Sequence, residues 1–131
     1  MYRIQSDKID LVSRLKEELE KSISSLVATL FEKRAFARIY LYLLRHPKSE
    51  ADSIISGTKL HPSTVRDALV KMNSAGDVTR KKGETETVGK KPYVYSAVNL
   101  KEIAVARMRD IERKVNAIFR HADAETTEKE Q

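Results

Sequence analysis

The sequence predicts a mainly α fold with a small β-hairpin, its central helices flanked by long N- and C-terminal helices. Three observations predict it. In 131 residues, 40% hydrophobic and 34% charged, there are only 4 Gly, 3 Pro and 6% aromatics, a balance that suits one helix-rich domain better than a sandwich or barrel. Apolar residues recur along most of the chain at steps of three and four. Enrichment in β-branched and aromatic residues is confined to residues 77–82, "DVTRKK", and 92–98, "PYVYSAV".

Ile9, Val12, Leu15, Leu19, Ile23, Leu26 and Leu30 form one stripe of a first helix between Ser6 and Phe31, and Glu17 with Lys21 is an i,i+4 pair in the favourable order. A second helix from Lys33 to Arg45 stops at "HPK", where Pro47 disfavours helical geometry for His46. A short third helix is expected from the capping-box-like pair Ser49 and Asp52, ending at Gly57 as a left-handed cap. After the linker "TKLH", Pro62 suits a first helical position, and Val65, Ala68, Leu69 and Met72 carry a fourth helix over residues 62–75 to a stop at "SAGD". The two β-rich segments then pair as a hairpin, and "GETETVGKK" forms its long, mobile tip. Asn99 and Glu102 resemble a second capping box, opening a helix through about His121. Its stripe of Ala104, Met108, Ile111, Val115 and Ile118 has the heptad spacing of a helix that packs along another. Residues 122–131 are polar, without periodicity, and are expected to be a disordered tail.

The order helix, short helix, tight linker, helix, hairpin is that of a winged helix-turn-helix, whose second paired helix enters the major groove of DNA. With Val65 on the core side and about 100° per residue, Ala68, Leu69 and Met72 lie within about 60° of it. Ser63, Arg66, Asp67 and Val70 fall on the far side, flanked by Thr64 and Lys71. That face has groove-reading chemistry. Arginine can pair bidentately with guanine, aspartate can accept from cytosine N4, and Val70 or the Thr64 methyl can pack on a thymine methyl. Ser63 and Thr64 also suit phosphate at a helix start, and His61 a cap or phosphate contact at its entrance. The competing reading of Arg66 and Asp67 is an ordinary solvated pair.

The net charge is +6 and the pI about 9.5, which favours a polyanion as partner. Between Gly57 and Tyr95, eight Lys/Arg face four acids, leaving +4 of that charge. Lys59 in the linker and Lys81, Lys82, Lys90 and Lys91 beside the hairpin tip are candidate phosphate contacts; for Arg80, strand alternation decides whether it turns inward. A lysine-rich edge hairpin is also a guard against edge-to-edge association. Tyr93 and Tyr95 share a strand face and suit core and rim packing more than a base-stacking platform.

With no cysteine, neither a disulfide, a thiolate nucleophile nor a zinc-thiolate site can form. His46, His61 and His121 lack ligand spacing, and there is no phosphate-cradling glycine loop. No enzyme, cofactor or metal site is expected. The N-terminus interrupts its apolar residues with charge every few positions, so neither a leader nor a membrane span is expected, and a cytoplasmic, nucleoid-associated location is.

At residues 35–98 the chain resembles the winged-helix DNA-binding domains of prokaryotic, especially archaeal, transcription regulators of the TrmB-like and MarR-like groups. The most telling stretches are "STVRDALVKMNSAGDV" at 63–78 and "GKKPYVYSAV" at 89–98. The resemblance implies a recognition helix carrying Ser63, Thr64, Arg66, Asp67, Val70 and Lys71, and a wing carrying Lys81, Lys82, Lys90 and Lys91. Larger TrmB-like regulators add a C-terminal sugar-binding domain; here one helix and a tail follow the wing, and a small-molecule effector stays unassigned.

The expected organisation is therefore an N-terminal helix in 1–32, a winged helix-turn-helix in 33–98 and a C-terminal helix in 99–121. Val12, Leu15, Leu19, Ile23 and Leu26 on the first helix, with Met108, Ile111, Val115 and Ile118 on the last, are the expected homodimer contacts. The alternative is that these stripes fold back on their own domain. The expected function is sequence-specific regulation of transcription by a homodimer on double-stranded DNA, with the wing, 78–98, on the backbone. A winged-helix protein-interaction module of the transcription machinery and a nucleoid protein without sequence preference remain open beside it.

Overall fold

A computed structural model of the chain describes residues 2–83 and 92–130, with side chains for 7–83 and 92–125. The chain runs α1 (Tyr2–Leu30), α2 (Arg34–Arg45), β1 (Ser49–Glu50), α3 (Ala51–Thr58), α4 (Pro62–Ala75), β2 (Val78–Lys82), β3 (Tyr93–Ala97) and α5 (Leu100–Glu130). It divides into two compact units, Met1–Ala97 and Val98–Gln131.

In the first unit the core lies where the periodicities converge. Ile39, Tyr40 and Leu43 of α2 are buried together with Ile54 of α3, Val65, Leu69 and Met72 of α4, and Val78 of β2. Each such side chain contributes about 1.5–3 kcal/mol of transfer free energy. The last turn of α1 joins this core through Val27, and Phe31, the residue after the helix, adds a ring whose centroid lies 5.1 Å from that of Tyr40. Burial, and then the nearby Asp77 carboxylate, push the Tyr40 hydroxyl up to about 12.

The sheet has three strands in the order β1-β3-β2, all antiparallel. The hairpin expected from sequence is its β2–β3 part, and Ser49↔Tyr95 and Glu50↔Val94 add β1. That addition corrects the expected capping box. Ser49 is buried in the sheet and its hydroxyl donates to the His46 carbonyl at 2.6 Å, so it is not available to α3, whose N-cap position is Glu50.

Gly57 is corrected as well. It lies inside α3, and the left-handed residue that ends the helix is Lys59, at φ 58°. A Cβ at Gly57 would overlap the Tyr42 ring, so the glycine serves the close approach of α2 and α3 rather than a positive φ. The left-handed glycine cap belongs to α4, where Gly76 has φ 83°.

In the second unit, Asn99 caps α5 by accepting from the Lys101 amide at 2.8 Å. α5 continues to Glu130, so residues 122–130 extend the helix where a disordered tail was expected. Ala, Glu and Lys are good helix formers, and lengthening an existing helix avoids the cost of nucleation. No helix among the described residues is long and apolar enough to cross a membrane, and no group of three His, Asp or Glu among them is placed to hold a metal ion.

Candidate nucleic-acid interface

α4 divides sharply between two faces. Val65, Ala68, Leu69 and Met72 are at most 2% exposed, whereas Ser63, Thr64, Arg66, Asp67, Val70 and Lys71 are all exposed, Val70 by 62%. An aliphatic side chain left that bare next to buried Leu69 marks an outward face not organised around core packing.

The entrance to α4 is built by His61 and Pro62. The His61 Nδ1 accepts from the Ser63 amide at 3.3 Å and lies 2.8 Å from the Ser63 hydroxyl. Accepting there leaves the ring proton on the other nitrogen, a donor beside the helix start. Pro62 has no N–H and the Ser63 amide is engaged, so the Thr64 amide is the first-turn donor left for an anion.

The turn before α4 is held from α2. Arg38 donates to the Thr58 carbonyl at 2.6 Å, placing a cation at the C-terminal end of α3. The Thr58 hydroxyl donates to the Ile54 carbonyl at 2.7 Å, and Lys59 then takes its left-handed conformation with its side chain exposed. Arg38 carries no signal in sequence, because its role depends on a carbonyl twenty residues away.

Arg66 makes its ion pair with Asp52 of α3, Nη2 to Oδ1 3.8 Å, and not with its neighbour Asp67. This pairing of Asp52 is not legible in the sequence, since its local pattern is only that of a cap.

Strand alternation divides the wing cations. Val78, Arg80 and Lys82, opposite Ala97, Tyr95 and Tyr93, share the face that enters the core; Thr79 and Lys81, opposite Ser96 and Val94, share the other. Arg80 thus turns to the inner face but stays exposed beyond the core, its guanidinium 4.4 Å from the centroid of the Tyr93 ring. Tyr93 and Tyr95 lie at the rim, the first 40% exposed and the second half-buried. On the other face Lys81 lines a concavity with Lys48, whose amide donates to the Ser96 hydroxyl at 3.1 Å. Lys48 is not legible in sequence because β1 has no pattern. Lys90, Lys91 and the expected mobile tip beyond Gly83 lie outside the described residues.

The stripes expected at a dimer contact are mostly bare. On α1, Val12, Leu15 and Leu19 are 58–63% exposed and Leu26 43%, while Ile23 is half-buried. On α5, Met108, Ile111 and Ile118 are 62–67% exposed and Val115 41%.

Residues 35–101, just over half of the chain, match the family model described as "Sugar-specific transcriptional regulator TrmB". Among solved structures, a MarR family transcription regulator aligns with TM-score 0.51 and 13% identity, over 88% of this chain and 77% of that one. A point mutant of S. aureus MepR bound to an oligodeoxyribonucleotide aligns with TM-score 0.50 and 13% identity, over 82% and 80%. A MarR family regulator from Silicibacter pomeroyi has TM-score 0.50 and 10% identity, over 82% and 70%. At such identities the likeness is one of fold. No curated protein matches the chain. The match across α2 to β3, on a winged helix-turn-helix whose α4 turns a polar face outward, makes this chain a member of the TrmB family and a winged-helix transcription regulator.

Proposed function

We propose that the protein acts in the cytoplasm as a homodimer that binds double-stranded DNA sequence-specifically, with α4 in the major groove and the β2–β3 wing along the backbone. The observation that carries this reading is the division of α4, in which four core residues hold the helix and leave Ser63, Thr64, Arg66, Asp67, Val70 and Lys71 exposed together. In the proposal Arg66 donates to guanine, Asp67 accepts from cytosine, and Val70 with the Thr64 methyl meets thymine. His61, Lys59, Lys71, Arg80, Lys81, Lys82, Lys90 and Lys91 serve the phosphates, which position the helix without reading sequence.

The bare stripes of α1 and α5 support the homodimer, because such apolar length is costly to leave in water. Two copies present two α4 helices to half-sites about 34 Å apart. The bound oligodeoxyribonucleotide of the MepR mutant supports the same use of this fold.

Selection of bound sequences from a random DNA pool, followed by salt titration on the enriched site, tests the proposal. The expected result is a two-fold symmetric consensus and, for six to ten neutralised phosphates, an affinity falling roughly 10³ to 10⁵ fold between 50 and 200 mM salt. Binding without enrichment would point to a nucleoid protein, and a monomer that binds no DNA to a protein-interaction module.

A further inference from the structure

Arg66 and Asp67 are adjacent in sequence, but successive residues of a helix project about 100° apart and do not face each other. The carboxylate that meets the Arg66 guanidinium comes from the other helix of the pair: Asp52, in the first turn of α3, lies 3.8 Å from Nη2. The spacing of the two helices is set by contacts already described. Gly57 lets α3 close on Tyr42, Arg38 ties the end of α3 to α2, and left-handed Lys59 turns the chain into α4.

We infer that Asp52 is a positioning residue for Arg66, making base preference depend on a side chain of α3 that touches no base. The inference rests on the proposed reading of DNA by α4. Arginine has five donors in a planar fork, so a carboxylate beside one terminal nitrogen leaves a parallel pair for guanine O6 and N7. Holding the long side chain before DNA arrives removes part of the ordering cost that binding otherwise bears. The carboxylate also repels the phosphate backbone. Removing its charge therefore acts in two directions, tightening binding to arbitrary DNA while narrowing the gap between right and wrong base.

A purely structural Asp52 would act differently. The pair is 62% and 88% exposed, and exposed pairs add little to stability, so Asp52→Asn is expected to fold. Loss of a helix-start charge would weaken binding to all sequences together; it would not separate specific from non-specific affinity.

The test is competition binding of the full chain to the selected site and to its single-base variants, at fixed salt. The proteins are the wild type, Asp52→Asn, Asp52→Glu, Arg66→Ala and the double variant Asp52→Asn/Arg66→Ala. The wild type is expected to prefer guanine at one position of each half-site by roughly 5 to 150 fold, the range of a bidentate pair. Asp52→Asn lowers that ratio at least threefold while raising affinity for random DNA, Asp52→Glu restores part of it, and in the Arg66→Ala background Asp52→Asn changes nothing at that position. If Asp52→Asn fails to fold, Asp52→Ser, which keeps a helix-start acceptor, is read for the same ratio.

A ratio untouched by Asp52→Asn, or shifted equally with and without Arg66, overturns the inference alone. A wild-type preference that Arg66→Ala leaves intact overturns the proposed Arg66–guanine contact and the inference together. A wild type with no base preference anywhere overturns the reading of α4 and the inference with it.

Discussion

Leu69 and Val70 are consecutive residues of α4 whose truncation should have opposite consequences. Leu69 is 2% exposed among buried Val65, Met72 and Val78, so Leu69→Ala removes apolar atoms from a closed space and leaves a cavity. Such a change costs about 2–5 kcal/mol. A loss of about 3 kcal/mol in a domain of this size lowers Tm by roughly 10 °C. Val70 is 62% exposed, so Val70→Ala removes atoms already in water and stays within about 0.5 kcal/mol of the wild type. Thermal melts monitored by circular dichroism, at one protein concentration because the proposed dimer ties Tm to mass action, measure both. DNA binding at about 20 °C then separates the roles. Leu69→Ala loses affinity only as far as it loses folded protein, whereas Val70→Ala keeps its fold and, if Val70 makes the proposed thymine-methyl contact, loses affinity for the selected site by about 1 kcal/mol, roughly fivefold. Equal melting of the two variants would refute the assignment of α4 faces, and a Val70→Ala protein with unaltered binding would remove Val70 from the groove.

Two further outcomes follow from buried and bare side chains. Tyr40 has its hydroxyl raised from 10.0 to about 12, so its neutral form is favoured by the fold: that stabilisation is complete below pH 10 and is lost as pH rises toward 12. At about 1.36 kcal/mol per pH unit the loss is on the order of 2 kcal/mol by pH 12, and urea unfolding between about pH 9 and 12 should show it for the wild type and not for Tyr40→Phe; parallel profiles would contradict the assignment. Leu15→Asp in the α1 stripe is expected to raise the dimer dissociation constant at least about 150-fold, the equivalent of about 3 kcal/mol for burying an unpaired carboxylate, and light scattering would then find a monomer. A dimer that persists would take α1 out of the interface.

What the sequence makes legible is local. The apolar steps of α4, the stop at Pro47 and the alternation of 92–98 each express a pattern within one element, and the structure keeps them. What stays hidden depends on partners far along the chain. β1 has two residues, too few for a pattern, and exists because Tyr95 and Val94 offer an edge. Ser49 meets every local requirement of a cap and is claimed by the sheet instead. Glycine is ambiguous in itself, since a missing side chain serves a positive φ or a close approach, and only Tyr42 decides for Gly57. The same limit explains the candidate interface. The outward face of α4 is legible from the helical wheel, but the partner of Arg66 is not, because Asp52 reaches it only once α3 and α4 are paired. The polar residues after His121 lack a stripe, yet absence of amphipathicity is not absence of helix.

Gly57 also constrains how this chain can diverge. A glycine within a helix is ordinarily a position open to drift, since alanine there gains about 1 kcal/mol of helix stability. Here that gain is closed off by the Tyr42 ring, so the two positions form a linked pair: residue 57 stays without a side chain for as long as residue 42 keeps its bulk. Lineages that shrink residue 42 are released to accept alanine at 57, and those that keep the ring are not. Covariation of 42 with 57 across relatives is thus the evolutionary trace expected of the α2–α3 contact.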